Sequence, residues 1–264
     1  MPILLIAVIL GLVEGVTEFL PVSSTGHLIL VSRFLDFEGP AADAFDVFIQ
    51  LGAILAVVVC YRTLFGSVFK PPSEPGFSGT RGLVLLAITT VPALVAGLLA
   101  HGTIKAHLFT PFTVAIGLAV GGVWILVTEQ VFRHKNPGGL EVITWRTALY
   151  VGLFQCLALW PGMSRSTCTI LGGMLVGLDR RSATEYSFFA AVPIMFAAVG
   201  YDLLKSMSHL HASDLPVFAT GFAVSFFCAW ASIRFLLHYV SRHSFKLFGW
   251  YRLALAGLVF ALMR

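Results

Sequence analysis

Three observations predict an all-α integral membrane protein with six spanning helices and two re-entrant helical hairpins in an inverted-topology repeat. The 264-residue chain is 58% apolar and 11% charged, with a mean hydropathy of +0.89, whereas a soluble domain carries about 25% charged residues. Six apolar stretches are each long enough to cross roughly 30 Å of hydrocarbon as a helix. Two further apolar regions are broken by Pro and a string of small polar residues, and they resemble one another.

The first broken region opens the chain. Residues 2–20 are apolar until Pro21, and after Ser23-Ser24-Thr25-Gly26 a second piece, 28–35, is only about 12 Å long as a helix. The run lacks a basic n-region and an A-x-A-like cleavage site and contains Glu14 and Glu18, so it is expected to stay in the mature protein. Spans are expected at 43–63, 82–100 and 111–131, joined by short loops with breakers such as KPPSEPG at 70–76 and followed by NPGG at 136–139. Residues 147–160 are stopped by Pro161-Gly162, and Ser164-Arg165-Ser166-Thr167 then precede a short apolar piece ending near Gly177. Spans at 183–203, 215–238 and 246–263 follow. Cys60, Cys156, Cys168 and Cys228 lie in apolar runs without metal or disulfide spacing and read as small buried residues.

The chain reads as one membrane domain, 1–264, built of a first repeat, 1–131, and a second, 144–264. Gly11, Leu12 and Glu14 match Gly152, Leu153 and Gln155 at a separation of 141, and Pro21 and Ser24 match Pro161 and Ser164 at 140. Loop charge decides how the broken regions sit. If both cross the membrane, Lys and Arg divide eight to eight, with Arg252 unassigned inside a span. If 2–35 and 147–177 instead turn back, one side holds Arg62, Lys70, Arg81, Arg133, Lys135, Arg146, Arg180, Arg181, Arg234, Arg242 and Lys246. The other holds only Arg33, Lys105, Lys205 and Arg264, with Arg165 at a re-entrant tip and Arg252 inside a span left out, and eleven to four obeys the positive-inside rule. The basic side is then cytoplasmic and both termini face the periplasm. Three spans per repeat is an odd number, so the second copy is inverted and the two hairpin tips can meet near the midplane, a known site architecture. The net charge of +4 reflects this sidedness, and no long basic run points to a nucleic-acid partner.

Glu14 and Glu18 share one helix face. Each ionised side chain near the bilayer centre costs roughly 2.5–3.5 kcal/mol. Together with Arg165 they must face the interior, a cavity or one another. A buried Glu–Arg pair that merely ties the halves together is the plain alternative to paired carboxylates that hold a hard cation or do acid–base work. Ser23, Ser24 and Thr25 suit the start of a second half-helix, whose N-terminus is an anion site. His27 lies within helical reach of either serine hydroxyl, as a base would, although simple capping by the serines with a hydrogen-bonded His27 fits equally. In the second string Arg165 suits bidentate phosphate binding, while Gly162-x-Ser164 lacks the strand and second glycine of a nucleophile elbow. His101, His107, His134, His209, His211, His238 and His243 lie in loops or near span ends and read as interfacial. The combination suits a phosphate or diphosphate head group with a divalent cation, and a head group inside the membrane points to a lipid substrate.

EGVTEFLPVSSTGH at 14–27 and PGMSRSTCT at 161–169 resemble the two signature motifs of the bacterial undecaprenyl-diphosphate phosphatases, the bacitracin-resistance family. DVFIQLGAILAVV from Asp46 and FQCLALWPG from Phe154 extend the resemblance over essentially the whole chain. It implies hydrolysis of undecaprenyl diphosphate to undecaprenyl phosphate and inorganic phosphate, recycling the lipid carrier of cell-wall synthesis in the bacterial inner membrane. It also implies roles: Glu14 and Glu18 for catalysis and for Mg²⁺ or Ca²⁺, Ser24 as nucleophile beside Ser23, His27 as base, and Arg165 on the diphosphate. Ser23, Thr25, Ser164, Ser166 and Thr169 are expected as nearby substrate-binding hydroxyls. Whether Ser24 attacks or His27 activates a water stays open, as does homo-oligomer assembly. The alternative is an inverted-repeat transporter or polyprenyl-phosphate flippase.

Overall fold

The computed structural model describes residues 1–72, 75–108, 110–131, 137–206 and 212–262. Among these the regular secondary structure is helical, apart from one isolated parallel bridge between Gly138 and Leu178. The helices are α1 (Ile3–Thr17), α2 (Ser24–Phe34), α3 (Pro40–Cys60), α4 (Arg62–Ser67), α5 (Gly79–His107) and α6 (Pro111–Val131). They continue as α7 (Trp145–Cys156), α8 (Arg165–Leu175), α9 (Arg180–Ser206), α10 (Leu215–Val240) and α11 (Lys246–Leu262). Five of them, α3, α5, α6, α9 and α10, are long and apolar enough to cross a bilayer, which makes this an all-α, multi-pass membrane protein.

The expected spans coincide with these helices but not at their ends. α5 runs 29 residues and α9 runs 27, past the windows 82–100 and 183–203. Hydropathy marks only the apolar stretch, whereas helical hydrogen bonding continues into the polar flanks. The sixth window, 246–263, corresponds to α11, whose 17 residues extend about 25 Å. α4, a short continuation of α3 beyond Tyr61, was not expected. Arg133, Lys135, Arg264, His134, His209 and His211 lie outside the described residues. Of the cysteines Cys168 is buried, while Cys60, Cys156 and Cys228 are half-buried, and all four are free thiols.

Proline and hydroxyl residues set the helix starts. Pro40 opens α3, where its missing N–H leaves nothing unsatisfied. Thr144 and Thr147 close a capping box on α7. α2 and α8 begin alike: Ser23 and Ser164 take φ of 74° and 71°, and their hydroxyls accept N–H bonds from Gly26 at 3.4 Å and Thr167 at 3.3 Å. The structural counterpart of Ser164 is therefore Ser23, at a separation of 141. The match of Ser24 to Ser164 at 140 is corrected by one residue, because the cap is the residue with the inverted φ, whichever serine the strings align.

α1 packs on α10 and on its own continuation α2, while α7 packs on α5 and on α8. α3 lies against both α9 and α10, and α6 lies against α11. The loops at one end are tied to each other: Phe77 N–H donates to the Leu140 carbonyl at 3.1 Å, Gly138 N–H to Gly177 at 3.0 Å, and Asp179 N–H to Gly138 at 2.9 Å. At the same end Arg180 grips Glu129 with two hydrogen bonds, and Glu129 also accepts the Phe245 N–H at 2.9 Å. The largest apolar cluster surrounds the two broken regions, with Phe19 set edge-on to Phe188 at 5.3 Å between ring centroids.

Candidate active site

The turns after α1 and before α8 meet at a cavity of about 250 Å³. Glu18, Ser23, Ser24 and Thr25 line it from the first broken region, and Pro161, Gly162, Ser164 and Arg165 from the second. Gln50 of α3 adds an amide, and Ile194, Met195 and Ala198 of α9 form an apolar wall. Because the first residues of α2 and α8 are among the lining, both helix N-termini open on the cavity and lend it partial positive charge. Pockets for drug-sized ligands hold roughly 300–1,000 Å³, so this one suits a head group and not a whole lipid.

Glu18, the first residue beyond α1, joins the two halves. Its Oε1 accepts from Arg165 Nη2 at 2.9 Å and its Oε2 accepts from the Ser24 hydroxyl at 2.5 Å. Arg165 is further held by Nη1 on the Ser187 carbonyl at 3.0 Å, and its guanidinium lies 5.8 Å from the Phe19 ring centre. Both charged side chains are only 10–13% exposed, so the pair is shielded from water yet reachable from the cavity. Gly162, at φ 94°, lets the second turn press against α6, where a side chain would run into the Val114 carbonyl.

The other expected site residues surround this pair without all reaching the cavity. Glu14, one turn earlier on α1, is fully buried, and neither carboxylate oxygen has a hydrogen-bond partner. It lies within electrostatic range of Glu18, Asp46 and Arg165. His27 is not on the cavity wall: Nδ1 meets the Ser23 carbonyl at 2.7 Å and Nε2 meets the Tyr251 hydroxyl at 2.6 Å. The Ser24 hydroxyl is thus paired with Glu18, not with His27. Ser166 donates to the Leu20 carbonyl at 2.9 Å, pinning turn to turn, and shares a 2.9 Å bond with Ser164. Thr169 bonds the Arg165 carbonyl at 2.9 Å and the Ser187 hydroxyl at 2.7 Å, so it braces Arg165 from behind.

Two residues were missed by reading the sequence. Gln50 is one polar residue in an otherwise apolar span, a weak signal. Arg252 gave a stronger one, since an ionisable residue within an apolar span is a site candidate by default. Its fully buried guanidinium donates to the carbonyls of Leu118, Gly117, Pro21, Gly162 and Met163 and to the Thr167 hydroxyl. It thereby holds both turns against α6.

The family model of the bacitracin resistance protein BacA matches residues 7–258. Among curated relatives, the undecaprenyl-diphosphatase of Nitratidesulfovibrio vulgaris strain Hildenborough is 57% identical over 97% of both chains. That of Oleidesulfovibrio alaskensis is 54% identical over 97% of both chains, and that of Lawsonia intracellularis 49% over 97% of both.

Proposed function

The chain belongs to the family of bacitracin resistance protein BacA, and from that membership and the chemistry of the cavity we infer that it is an undecaprenyl-diphosphatase. It hydrolyses undecaprenyl diphosphate to undecaprenyl phosphate and inorganic phosphate. The reaction recycles the lipid carrier of cell-wall synthesis and confers resistance to bacitracin. The observation that carries the chemistry is Glu18, which holds Ser24 with one carboxylate oxygen and Arg165 with the other. No observation favours the transporter reading, since architecture alone does not fix function.

In the mechanism we propose, the diphosphate takes the place of Glu18 on Arg165, whose planar guanidinium suits two phosphate oxygens. The N-termini of α2 and α8, with Ser23, Thr25 and Ser164, receive the remaining charge. Ser24 Oγ attacks the terminal phosphorus while its proton passes to Glu18, within 2.5 Å in the resting geometry. The bond to the bridging oxygen breaks, undecaprenyl phosphate leaves, and water then releases phosphate from Ser24. His27 holds the Ser23–Ser24 turn through its bond to the Ser23 carbonyl, with Ser166 and Thr169 bracing Ser164 and Arg165. The first isoprene unit lies along Ile194, Met195 and Ala198.

Glu14 and Glu18 suit a divalent cation. Two buried carboxylate oxygens of Glu14 without hydrogen bonds call for a cationic partner. Among the described residues no three His, Cys, Asp or Glu side chains stand together to cage an ion. Mg²⁺ or Ca²⁺ would then be held by one or two carboxylates together with substrate phosphate oxygens and water. When bound, the cation neutralises the diphosphate and polarises its P–O bonds.

We propose six spans, with α11 as the sixth, and two re-entrant hairpins, 2–35 and 147–177, in inverted repeats, in the inner membrane with both termini periplasmic. The equivalent pairings of the two halves, α1 with α10 and α7 with α5, support this reading.

Phosphate release from undecaprenyl diphosphate in detergent tests the site. Glu18→Ala, Ser24→Ala and Arg165→Ala should each lose at least about a hundredfold, the usual scale for positioned acid–base and charge-stabilising groups. Wild-type turnover by Glu18→Ala and Arg165→Ala would sink the assignment. Radiolabelled phosphate retained on Ser24 in a slow variant would establish the serine route, and its absence under single-turnover conditions would favour an activated water.

A further inference from the structure

We infer that Tyr251 of α11 is a positioning residue for hydrolysis, acting through His27 on the turn that presents Ser24; this rests on Ser24 being the group presented to the diphosphate. Ser23 holds a φ of 74°, a conformation that a residue with a side chain adopts only when its surroundings enforce it. Its own hydroxyl gives a long cap of 3.4 Å to Gly26. The shorter bond comes from His27, whose Nδ1 approaches the Ser23 carbonyl at 2.7 Å, closer than the backbone N–H of the same residue at 3.3 Å. A carbonyl only accepts, so Nδ1 carries the proton, and with the ring neutral Nε2 is then an acceptor. Tyr251 fills that place: its hydroxyl donates to Nε2 at 2.6 Å, and the two rings lie parallel, 5.7 Å apart and 1° from coplanar.

The imidazole is therefore fixed at both ends, by Ser23 on one side and Tyr251 on the other. Neither nitrogen faces Ser24, so His27 acts on the serine through the backbone it holds. Tyr251 is 45% exposed and lies on α11, the helix read as the sixth span. The next residue, Arg252, holds the Pro21, Gly162 and Met163 carbonyls. Consecutive residues of α11 thus set both turns, Arg252 directly and Tyr251 by way of His27. The second turn carries Cys168 at the position matching His27 and is braced by the Ser164–Ser166 bond, so Tyr251 serves the Ser24 side alone.

Tyr251→Phe removes one oxygen and keeps the stacked ring, so the fold should survive. Phosphate release from undecaprenyl diphosphate by the full-length protein in detergent should show kcat down about tenfold with KM within about twofold, the scale of one lost hydrogen bond to a catalytic element. In ¹⁵N-histidine-labelled protein the His27 Nε2 resonance should shift. In a His27→Ala background the same substitution should cost nothing further. Full kcat with an unshifted His27 resonance, or an additive loss in the His27→Ala background, would overturn the role of Tyr251. Full turnover by Ser24→Ala would instead overturn the nucleophile, and the His27 resonance and the Tyr251–His27 cycle would still judge the positioning contact.

Discussion

The guanidinium of Arg252 sits where no solvent reaches, and carbonyl oxygens do the work usually given to a carboxylate. Carbonyls at the turns after α1 and before α8 have left helical bonding, and in an apolar medium each needs a donor. Replacing Arg252 by Met keeps the volume but orphans them. A buried polar group left unpaired costs about 1–3 kcal/mol, and three turn carbonyls lose a donor together. Arg252→Met should therefore destabilise by more than about 3 kcal/mol, read as a fall in the detergent unfolding midpoint. Arg252→Lys should recover only part, because an ammonium cannot fork to several acceptors at once. An unchanged midpoint in Arg252→Met would mean that the turns are held otherwise. The same residue marks what sequence can convey at this scale. The cost of burying charge singled out Glu14, Glu18 and Arg165 and required that they face inward. It could not name partners: His27 was weighed against serines three and four residues away, while its Nε2 bonds a tyrosine 224 residues on.

Among the elements, α1 and α10 run side by side with little between them. Gly11 and Gly15 of α1 lie one turn apart and meet Gly221 and Ser225 of α10, the small-residue spacing that lets membrane helices approach closely. A Cβ at Gly15 would come within 2.6 Å of the Cys228 Cβ and 2.9 Å of the Ala229 nitrogen, and backbone cannot move aside cheaply. Gly15→Ala should cost about 1–3 kcal/mol. It should also lower phosphatase activity, since Glu14 and Glu18 flank the displaced turn. Gly257→Ala, where an added methyl meets open space, should be neutral or slightly stabilising because Ala favours helix over Gly. Equal midpoints for the two variants would show that α1 has room to shift. Hydropathy disclosed which segments are helices, because long apolar runs have one stable form in lipid. It did not disclose their limits, the existence of α4, or that Ser23 and not Ser24 is the cap, since these depend on backbone angles that neighbouring turns impose.

For the whole molecule the question is which face each loop occupies. If 147–177 crossed the bilayer, residues 138 and 179 would lie on opposite faces, separated by roughly 30 Å of hydrocarbon. Instead Gly138 and Gly177 share a 3.0 Å hydrogen bond, and Asp179 donates back to Gly138 at 2.9 Å. The loops that the charge count assigns to the cytoplasm are, in addition, bonded among themselves through Phe77 with Leu140 and through Glu129 with Arg180 and Phe245. Loop charge and loop contact are independent observations, since the first concerns insertion and the second the folded state. A chain cleared of its four cysteines allows a direct test in intact cells with a membrane-impermeant maleimide. Pro2→Cys and Glu38→Cys, flanking the first hairpin, should react from outside. Arg146→Cys and Arg181→Cys, exposed residues flanking the second, should both stay protected until the cells are opened. Labelling of Arg146→Cys and Arg181→Cys from opposite sides would replace the hairpin by a crossing helix. It would also strand Arg165 in a span instead of at a tip, so the phosphatase site and the topology stand on the same turn.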